Sequence, residues 1–394
     1  VTENQLVFIR FTFTIPEGSR RMSKLLHELL AEFDDTAPLH AAESLQSPWY
    51  VEPALAAVER RAVFGDTWQA VGRVDQVADV GSFFTVNLAG EPILVVRDAD
   101  RTLRAFANVC RHRGSQVLCE TAGRASKLQC QYHGWTYDLS GRLRGTPEFD
   151  GVANFDKQHN GLPEYAVAIW GPMVWVHCGR NPPPLEQTLP TRIRRTDELK
   201  LDSLQFVSRR EYRLDCNWKV FVDNYLDGGY HVNTVHPDLA GVLDYSEYRT
   251  ELFDACSLQS SPLTTGADAV VNQVRTGVRA CYWWIYPNFM MNVYDGVMDT
   301  NVVLPDGPDR CRVLFDFYFS EPTAPGRSAM IEQSISVSDR IQQEDAVVCE
   351  AVQRGLQSRS YRRGRFSVKR EMAGYHFHQL YIRQLRAAVD GVVS

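Results

Sequence analysis

A chain of 394 residues exceeds what one ordinary hydrophobic core organises, so two domains are expected. Its 44% hydrophobic and 23% charged residues describe a globular chain, and no apolar run is long enough to span a membrane. A formal net charge of -6 leaves no basic footprint for a nucleic-acid partner, and nine cysteines without disulfide spacing point to a reducing cytoplasm.

Residues 1–21 read as an extension of no evident role, because the apolar stretch 6–15 is broken by Arg10 and makes a poor signal peptide. Folded sequence is expected from near Met22. From there Leu25, Leu26, Leu29, Leu30 and Phe33 line one face of a short helix, and 1–47 is taken as N-terminal extension and helix. Pro53 opens a second short helix through Leu55, Val58 and Arg61. Strand runs follow at 83–88, 93–96 and 103–106, with a turn at 97–100 between the last two. Further on, 137–143 reads as strand, turn, strand, and 166–178 as a strand run broken at Gly171-Pro172. Residues 48–178 therefore make an all-β domain. Three consecutive prolines at 182–184 continue neither ladder nor helix and mark a linker over 179–191. In 192–394 long helices mix with aromatic strands such as 282–294 and 312–319, the latter with Val313, Phe315, Phe317 and Phe319 on one face.

Inside the β domain, Cys110, His112, Cys130 and His133 stand in the strings C-R-H-R-G and C-Q-Y-H-G-W. Their spacing is C-x-H, seventeen residues, then C-x2-H. Two thiolates for one iron and two imidazoles for the other make the ligand set of a Rieske [2Fe-2S] cluster. Neutral imidazoles in place of two anionic thiolates raise the reduction potential above that of an all-cysteine cluster, which suits a one-electron relay. A structural zinc site more often pairs cysteine with cysteine and histidine with histidine in each loop. Gly114 and the pair Gly134-Trp135, flanking the two histidines, argue against chance.

Residues 217–238 read N-W-K-V-F-V-D-N-Y-L-D-G-G-Y-H-V-N-T-V-H-P-D, with His231 and His236 at H-x4-H. That pair alone is a weak signal. On an ideal helix the two imidazoles would stand about 140° apart, so the helix is expected to loosen at Asn233-Thr234 before Pro237. A long helix over 328–356 has an apolar face of Ile331, Ile335, Ile341, Val348 and Val352, and Asp345 falls on it. A carboxylate facing a core is costly unless paired or metal-bound, so Asp345 is either a metal ligand or half of a buried ion pair. Asp339 and Glu344 lie off that face and read as solvated. Two imidazoles and one carboxylate would leave an Fe(II) open positions for oxygen and substrate. His376 and His378, two apart on a helix, point away from each other and make a poor pair of ligands.

With these motifs in this order the chain resembles the Rieske non-haem iron oxygenases of α-subunit type, over roughly residues 48 to 390. The strings C-N-W-K-V-F-V-D-N-Y-L-D, Y-P-N-F-M-M-N, M-D-T-N-V-V-L-P and R-I-Q-Q-E-D-A-V-V-C-E-A-V-Q-R-G-L are similar to the choline monooxygenase branch. The resemblance implies an α+β chain: the Rieske domain, then a helix-grip (START-like) catalytic domain whose curved antiparallel sheet wraps a long helix. It implies a cluster on Cys110, His112, Cys130 and His133, and iron on His231, His236 and Asp345. It also implies a homotrimer, in which one subunit's cluster serves its neighbour's iron through a bridging acid. Most of the family carries that acid three residues before the first iron histidine, where Gly228 stands here. Asp227 is then the candidate bridge and Asp223 its rival. Gln131 replaces a usual proline in the second cluster loop, a change expected to be harmless.

No glycine-rich dinucleotide loop is present, so electrons from NAD(P)H are expected through a separate reductase or ferredoxin. The expected reaction inserts oxygen from O2 into a C–H bond of a small molecule. Tyr282, Trp284, Tyr286, Phe289 and Tyr294 could bind a quaternary ammonium group through their ring faces, although strand alternation lets at most half of such residues line one pocket. Together with the branch likeness, they suggest hydroxylation or N-demethylation of a choline- or betaine-like compound. The alternatives are an aromatic-ring-hydroxylating dioxygenase α-subunit, which could need a β-subunit, and a Rieske electron carrier fused to a non-catalytic ligand-binding module.

Overall fold

The computed structural model describes residues 17–194, 199–236, 243–263, 274–275 and 277–393. Residues 1–16 of the expected extension, and Pro237, lie outside them. The chain is α+β, as the resemblance implied, and no described helix is long and apolar enough to cross a membrane. All nine cysteines are free.

Helix α1 (Glu17–Glu32) starts five residues before the expected Met22 and buries Leu26, Leu29 and Leu30, with Phe33 just beyond. Two short helices follow, α2 (Pro48–Val51) and α3 (Leu55–Glu59). The β domain then opens with β1 (Gln69–Arg73), β2 (Ser82–Leu88), β3 (Glu91–Arg97), β4 (Leu103–Ala107) and β5 (Ala122–Arg124). Short strands β6 (Leu128–Gln129), β7 (Thr136–Tyr137) and β8 (Leu143–Gly145) form a sheet of their own. The hairpin of β9 (Glu164–Trp170) and β10 (Met173–His177) closes the larger, seven-stranded sheet in the order β1-β10-β9-β4-β3-β2-β5. The same device makes one turn in each of these sheets. Asp98 Oδ1 accepts from the Asp100 and Thr102 amides, and Asp138 Oδ1 accepts from the Ser140 and Arg142 amides.

The second sheet is fully antiparallel. It comprises β11 (Leu204–Leu214), β12 (Arg249–Phe253), β13 (Cys256–Pro262), β14 (Arg279–Ile285), β15 (Phe289–Tyr294), β16 (Val297–Pro305) and β17 (Cys311–Ser320), in the order β11-β17-β16-β15-β14-β13-β12. Besides two single turns at Leu185–Thr188 and Thr191–Arg194, the later helices include α4 (Trp218–Tyr225), α5 (Val232–Val235), α6 (Arg327–Leu356) and α7 (Met372–Val393). One face of the sheet (Tyr282, Trp284, Met290, Tyr294, Phe315, Phe317) shares a core with α4, α6 and α7. The opposite face (Trp283, Ile285, Phe289, Met291, Tyr318) packs on Trp68, Trp170 and Trp175 of the β domain.

Segment 48–64 is buried in a core that β-domain residues such as Ile93 and Val95 share with Trp218, Phe377 and Tyr381. The expected linker is free only in its first half, because Leu185, Leu189 and Ile193 are buried beside Trp175.

The N-W-K string explains much of that core. The Asn217 side chain caps α4 by accepting the Lys219 amide at 3.0 Å. Its neighbours both reach Glu59: the Trp218 indole donates to Oε2 at 3.0 Å, and the Lys219 ammonium pairs with Oε1, which also accepts from Tyr381 at 2.6 Å. Lys219 is 0% exposed and Glu59 3%. A fully buried ion pair tolerates this only when further hydrogen bonds satisfy it, and here α3, α4 and α7 supply them.

Candidate metal centres and the cavity between helix and sheet

The two cluster loops are built alike. In each, a glycine amide donates back to the cysteine carbonyl at 3.0 Å: Gly114 to Cys110, and Gly134 to Cys130. The cysteine amides bond to Ser115 O and Trp135 O at 2.7 and 2.9 Å. Both sulfurs lie inward, with Cys110 and Cys130 buried, while His112 and His133 reach the surface with their Nδ1 atoms 3.2 Å apart. The donor set fits a [2Fe-2S] cluster: two buried sulfurs, and two imidazoles meeting through one ring nitrogen each. Trp135 stacks on His112 at 4.8 Å and 10°. The buried Asn108 side chain, which sequence reasoning missed, holds the first loop through Val117, Leu118 and the Leu118 carbonyl.

Tyr137 was read only as a strand residue. Its hydroxyl lies 3.4 Å from Cys110 Sγ and accepts the Arg111 amide at 3.0 Å. Facing a thiolate, that hydroxyl donates. Hydrogen bonds to cluster sulfurs withdraw charge and raise the potential, so Tyr137→Phe is expected to lower the cluster's reduction potential with its visible spectrum retained. A redox titration followed by circular dichroism checks it, and an unchanged potential would mean that the hydroxyl points elsewhere.

The second centre forms where α4 ends. The chain turns through 226–230, and α5 is a single helical turn with His231 before it and His236 after it. The expected loosening at Asn233-Thr234 is therefore absent: those residues are helical, and the histidines converge because they flank the turn. His231 Nε2 and His236 Nε2 are 3.1 Å apart, and Asp345 Oδ1 lies 3.6 and 3.1 Å from them. One ligand atom from each of the three falls within 4.8 Å of the others. Asn224 donates to Asp345 Oδ1 at 2.8 Å.

Each imidazole is aimed by a carboxylate behind it. His231 Nδ1 donates to Asp227 Oδ2 at 2.5 Å, and His236 Nδ1 donates to Glu344 Oε2 at 2.6 Å. A carboxylate only accepts, so both Nδ1 atoms carry hydrogen and both Nε2 lone pairs face the common point. Burial would lower the His236 pKa, yet Asp345 and Glu344 raise it overall, as expected of a site that attracts a cation. The nitrogen, nitrogen, oxygen set fits Fe(II).

Several expectations change on α6. Glu344 is not simply solvated, since it orients His236; Asp339 accepts from Tyr212 and pairs with Arg210 at 3.7 Å. Val352 is 45% exposed, and the buried face runs instead through polar Ser334, Ser338 and Gln342. His378 donates to Asp223 at 2.8 Å, and Tyr50 donates to the same carboxylate at 2.7 Å. Asp227, outside any helix, caps the turn by accepting the Tyr230 and His231 amides. Position 228 cannot carry the acid. Gly228 has φ +71°, and a Cβ there would lie 2.1 Å from the Arg370 carbonyl oxygen.

Beside the triad is a small cavity of about 110 Å³, below the usual range of drug-sized sites and open on one side. Phe221, Tyr225, Tyr248, Tyr282 and Phe315 give it aromatic walls, with Tyr248 and Tyr282 stacked at 6.4 Å and 16°. Asp299 and Arg275, both buried and both missed by sequence reasoning, line it too. Asp299 Oδ1 accepts from Asn292 at 2.7 Å and Asn301 at 3.0 Å. Burial raises the Asp299 pKa, with Arg275 and the two amides opposing. Of the five aromatics singled out, only Tyr282 lines this cavity, and Tyr294 hydrogen-bonds to it at 3.0 Å. Trp284 and Tyr286 share that sheet face but pack on Phe377 of α7, and Phe289 is on the opposite face against Trp175.

The chain matches two family models: the Rieske [2Fe-2S] domain over residues 67–156, and the ring hydroxylating alpha subunit (catalytic domain) over 201–387. It is 40% identical to the chloroplastic choline monooxygenase of Arabidopsis thaliana, covering 92% of this chain and 87% of that protein. Against the carnitine monooxygenase oxygenase subunit of Escherichia coli (strain K12) it is 28% identical, over 91% and 98%. A crystal structure of the quaternary ammonium Rieske monooxygenase CntA superposes with a TM-score of 0.80 at 25% identity, over 91% and 98% of the two chains.

Proposed function

This chain belongs to the Rieske non-haem iron oxygenases of α-subunit type, and on that premise we propose that it is the terminal oxygenase for a small quaternary ammonium compound. The reaction hydroxylates a carbon next to nitrogen, and N-demethylation follows where that carbon is a methyl. Asp299 carries the reading: a buried carboxylate in an aromatic-walled cavity beside the triad favours a cation over a neutral ring. A dioxygenase pocket for apolar rings would gain nothing from that charge. Cys110, His112, Cys130 and His133 hold the cluster; His231, His236 and Asp345 hold iron. Bound there, the two groups supply one-electron delivery and the activation of O2. The protein orients the imidazoles through Asp227 and Glu344 and fixes Asp345 through Asn224.

Electrons cross between subunits of a homotrimer in this proposal. No residue of 69–177 lines the cavity beside the triad or the second cavity behind His231. That second cavity is lined by Asp223, Asp227 and Glu371 as well as by Arg365 and His378, and the exposed Arg111 and Arg113 around His112 of another copy would meet its carboxylates. Asp227 lines both cavities and touches His231, whereas Asp223 lines only the outer one, so Asp227 is the bridge. The electron donor is a separate NAD(P)H-dependent reductase or ferredoxin. A reducing compartment such as the cytoplasm suits the nine free thiols.

Oxygen consumption and product analysis with choline, glycine betaine and benzoate, using holoenzyme and a reductase pair, test the reading. Turnover with a quaternary ammonium compound is expected, and turnover with benzoate alone would favour the ring dioxygenase.

A further inference from the structure

We infer that the substrate is a zwitterion, with its carboxylate on Arg275 and its ammonium end at Asp299. This rests on the quaternary ammonium reading above and names which class of such compounds the cavity takes.

Arg275 is 9% exposed and lines the cavity. Among the described residues its guanidinium hydrogen-bonds only neutral hydroxyls: Tyr294 Oη at 2.5 Å and Ser338 Oγ at 3.5 Å. The Tyr294 oxygen is shared, because the Tyr282 hydroxyl lies 3.0 Å from it. A guanidinium has five N–H donors, so most of its capacity is unused within the described residues. Burying that charge without an anion is costly.

Asp299 is near enough for its charge to act on Arg275, yet no hydrogen bond joins them among the described residues. Among the described residues only its Oδ1 accepts side-chain hydrogen bonds, from Asn292 and Asn301. One cavity thus holds a cation and an anion that no hydrogen bond or ion pair joins among the described residues: the guanidinium offers N–H donors and the carboxylate offers its charge. The complement is a molecule whose own opposite charges are held apart. A guanidinium fork matches a carboxylate in two parallel hydrogen bonds. A simple cation such as choline would meet the same guanidinium as a like charge, with only a hydroxyl to offer it. A purely structural Arg275, propping Tyr294, would instead affect every ligand alike.

Calorimetric titration of oxidised holoenzyme separates these cases. The ligands are trimethylammonium carboxylates with one, two and three methylenes, together with choline and butyltrimethylammonium. At least one carboxylate should bind more tightly than choline. In Arg275→Gln that preference should fall about ten- to a hundredfold, the loss expected for a hydrogen bond between charged groups, and Arg275→Lys should recover part of it. Choline binding as tightly as every carboxylate overturns the inference while leaving the quaternary ammonium reading intact. So does a uniform loss of all ligands in Arg275→Gln, or no loss of preference. If no quaternary ammonium compound binds the unaltered protein, both readings fall together.

Discussion

Asp345→Asn is expected to strip the chain of its mononuclear iron and to lower substrate oxygenation by more than about a hundredfold, beyond the ten- to hundredfold typical of losing a mere supporting partner. The change is isosteric, so Asn224 can still hydrogen-bond position 345 and α6 keeps its seat. What disappears is the negative charge 3.1 Å from His236 Nε2 and 3.6 Å from His231 Nε2. Two neutral imidazoles alone hold a divalent cation poorly. Iron analysis should fall from three per chain to the two of the cluster, whose absorption and reduced-state EPR signal remain. Asp227→Asn and Glu344→Gln should act more mildly, because each leaves the ligand in place and loses only its aim. Retention of the third iron by Asp345→Asn would remove Asp345 from the ligand set.

Lys219→Met should destabilise the protein by about 3–5 kcal/mol, the usual cost of leaving one member of a buried ion pair alone. Glu59 would then keep a buried charge with only the Trp218 indole and the Tyr381 hydroxyl as partners. Pairing Lys219→Met with Glu59→Gln removes both charges and preserves an acceptor for those two donors. The double variant should therefore be more stable than either single one. Denaturant unfolding measures this, and simple additivity of the two single losses would show that the charges do not act as a pair.

What could be read from sequence was whatever depended on neighbours along the chain. The four cluster ligands lie in two short loops, so their spacing alone nearly defines the site. Asp345 was legible because a helix places it relative to Ile341 and Val348. Glu344, one residue earlier, was misread because its partner is the back of an imidazole on a different element. Arg275 and Asp299 were invisible for the same reason: neither has a local pattern, and only the folded sheet brings them to one cavity. Alternation correctly limited how many aromatics could line a pocket. It could not tell which end of the strand faces α7, where Trp284 and Tyr286 went. Gly228 shows the converse. Its departure from the family pattern has a steric cause, the Arg370 carbonyl, that no spacing argument contains.

Segment 48–64 reaches across from the start of the β domain to α4 and α7. Glu59 precedes the β domain and its partner Lys219 follows it, so one buried ion pair ties the two flanks of the β domain together. Its two joints meet: the Trp68 indole donates to Pro183 O at 2.9 Å, and a Cβ at Gly179 would lie 2.4 Å from the Asp66 carboxylate. Cutting at the linker alone would strand Glu59 from Lys219. Cutting at both joints would keep that pair but bare the sheet face that Trp170 and Trp175 cover. The relay module enters the chain at one narrow place yet is packed against the catalytic sheet across a whole face, so a replacement relay of different potential has to carry Trp170 and Trp175 with it.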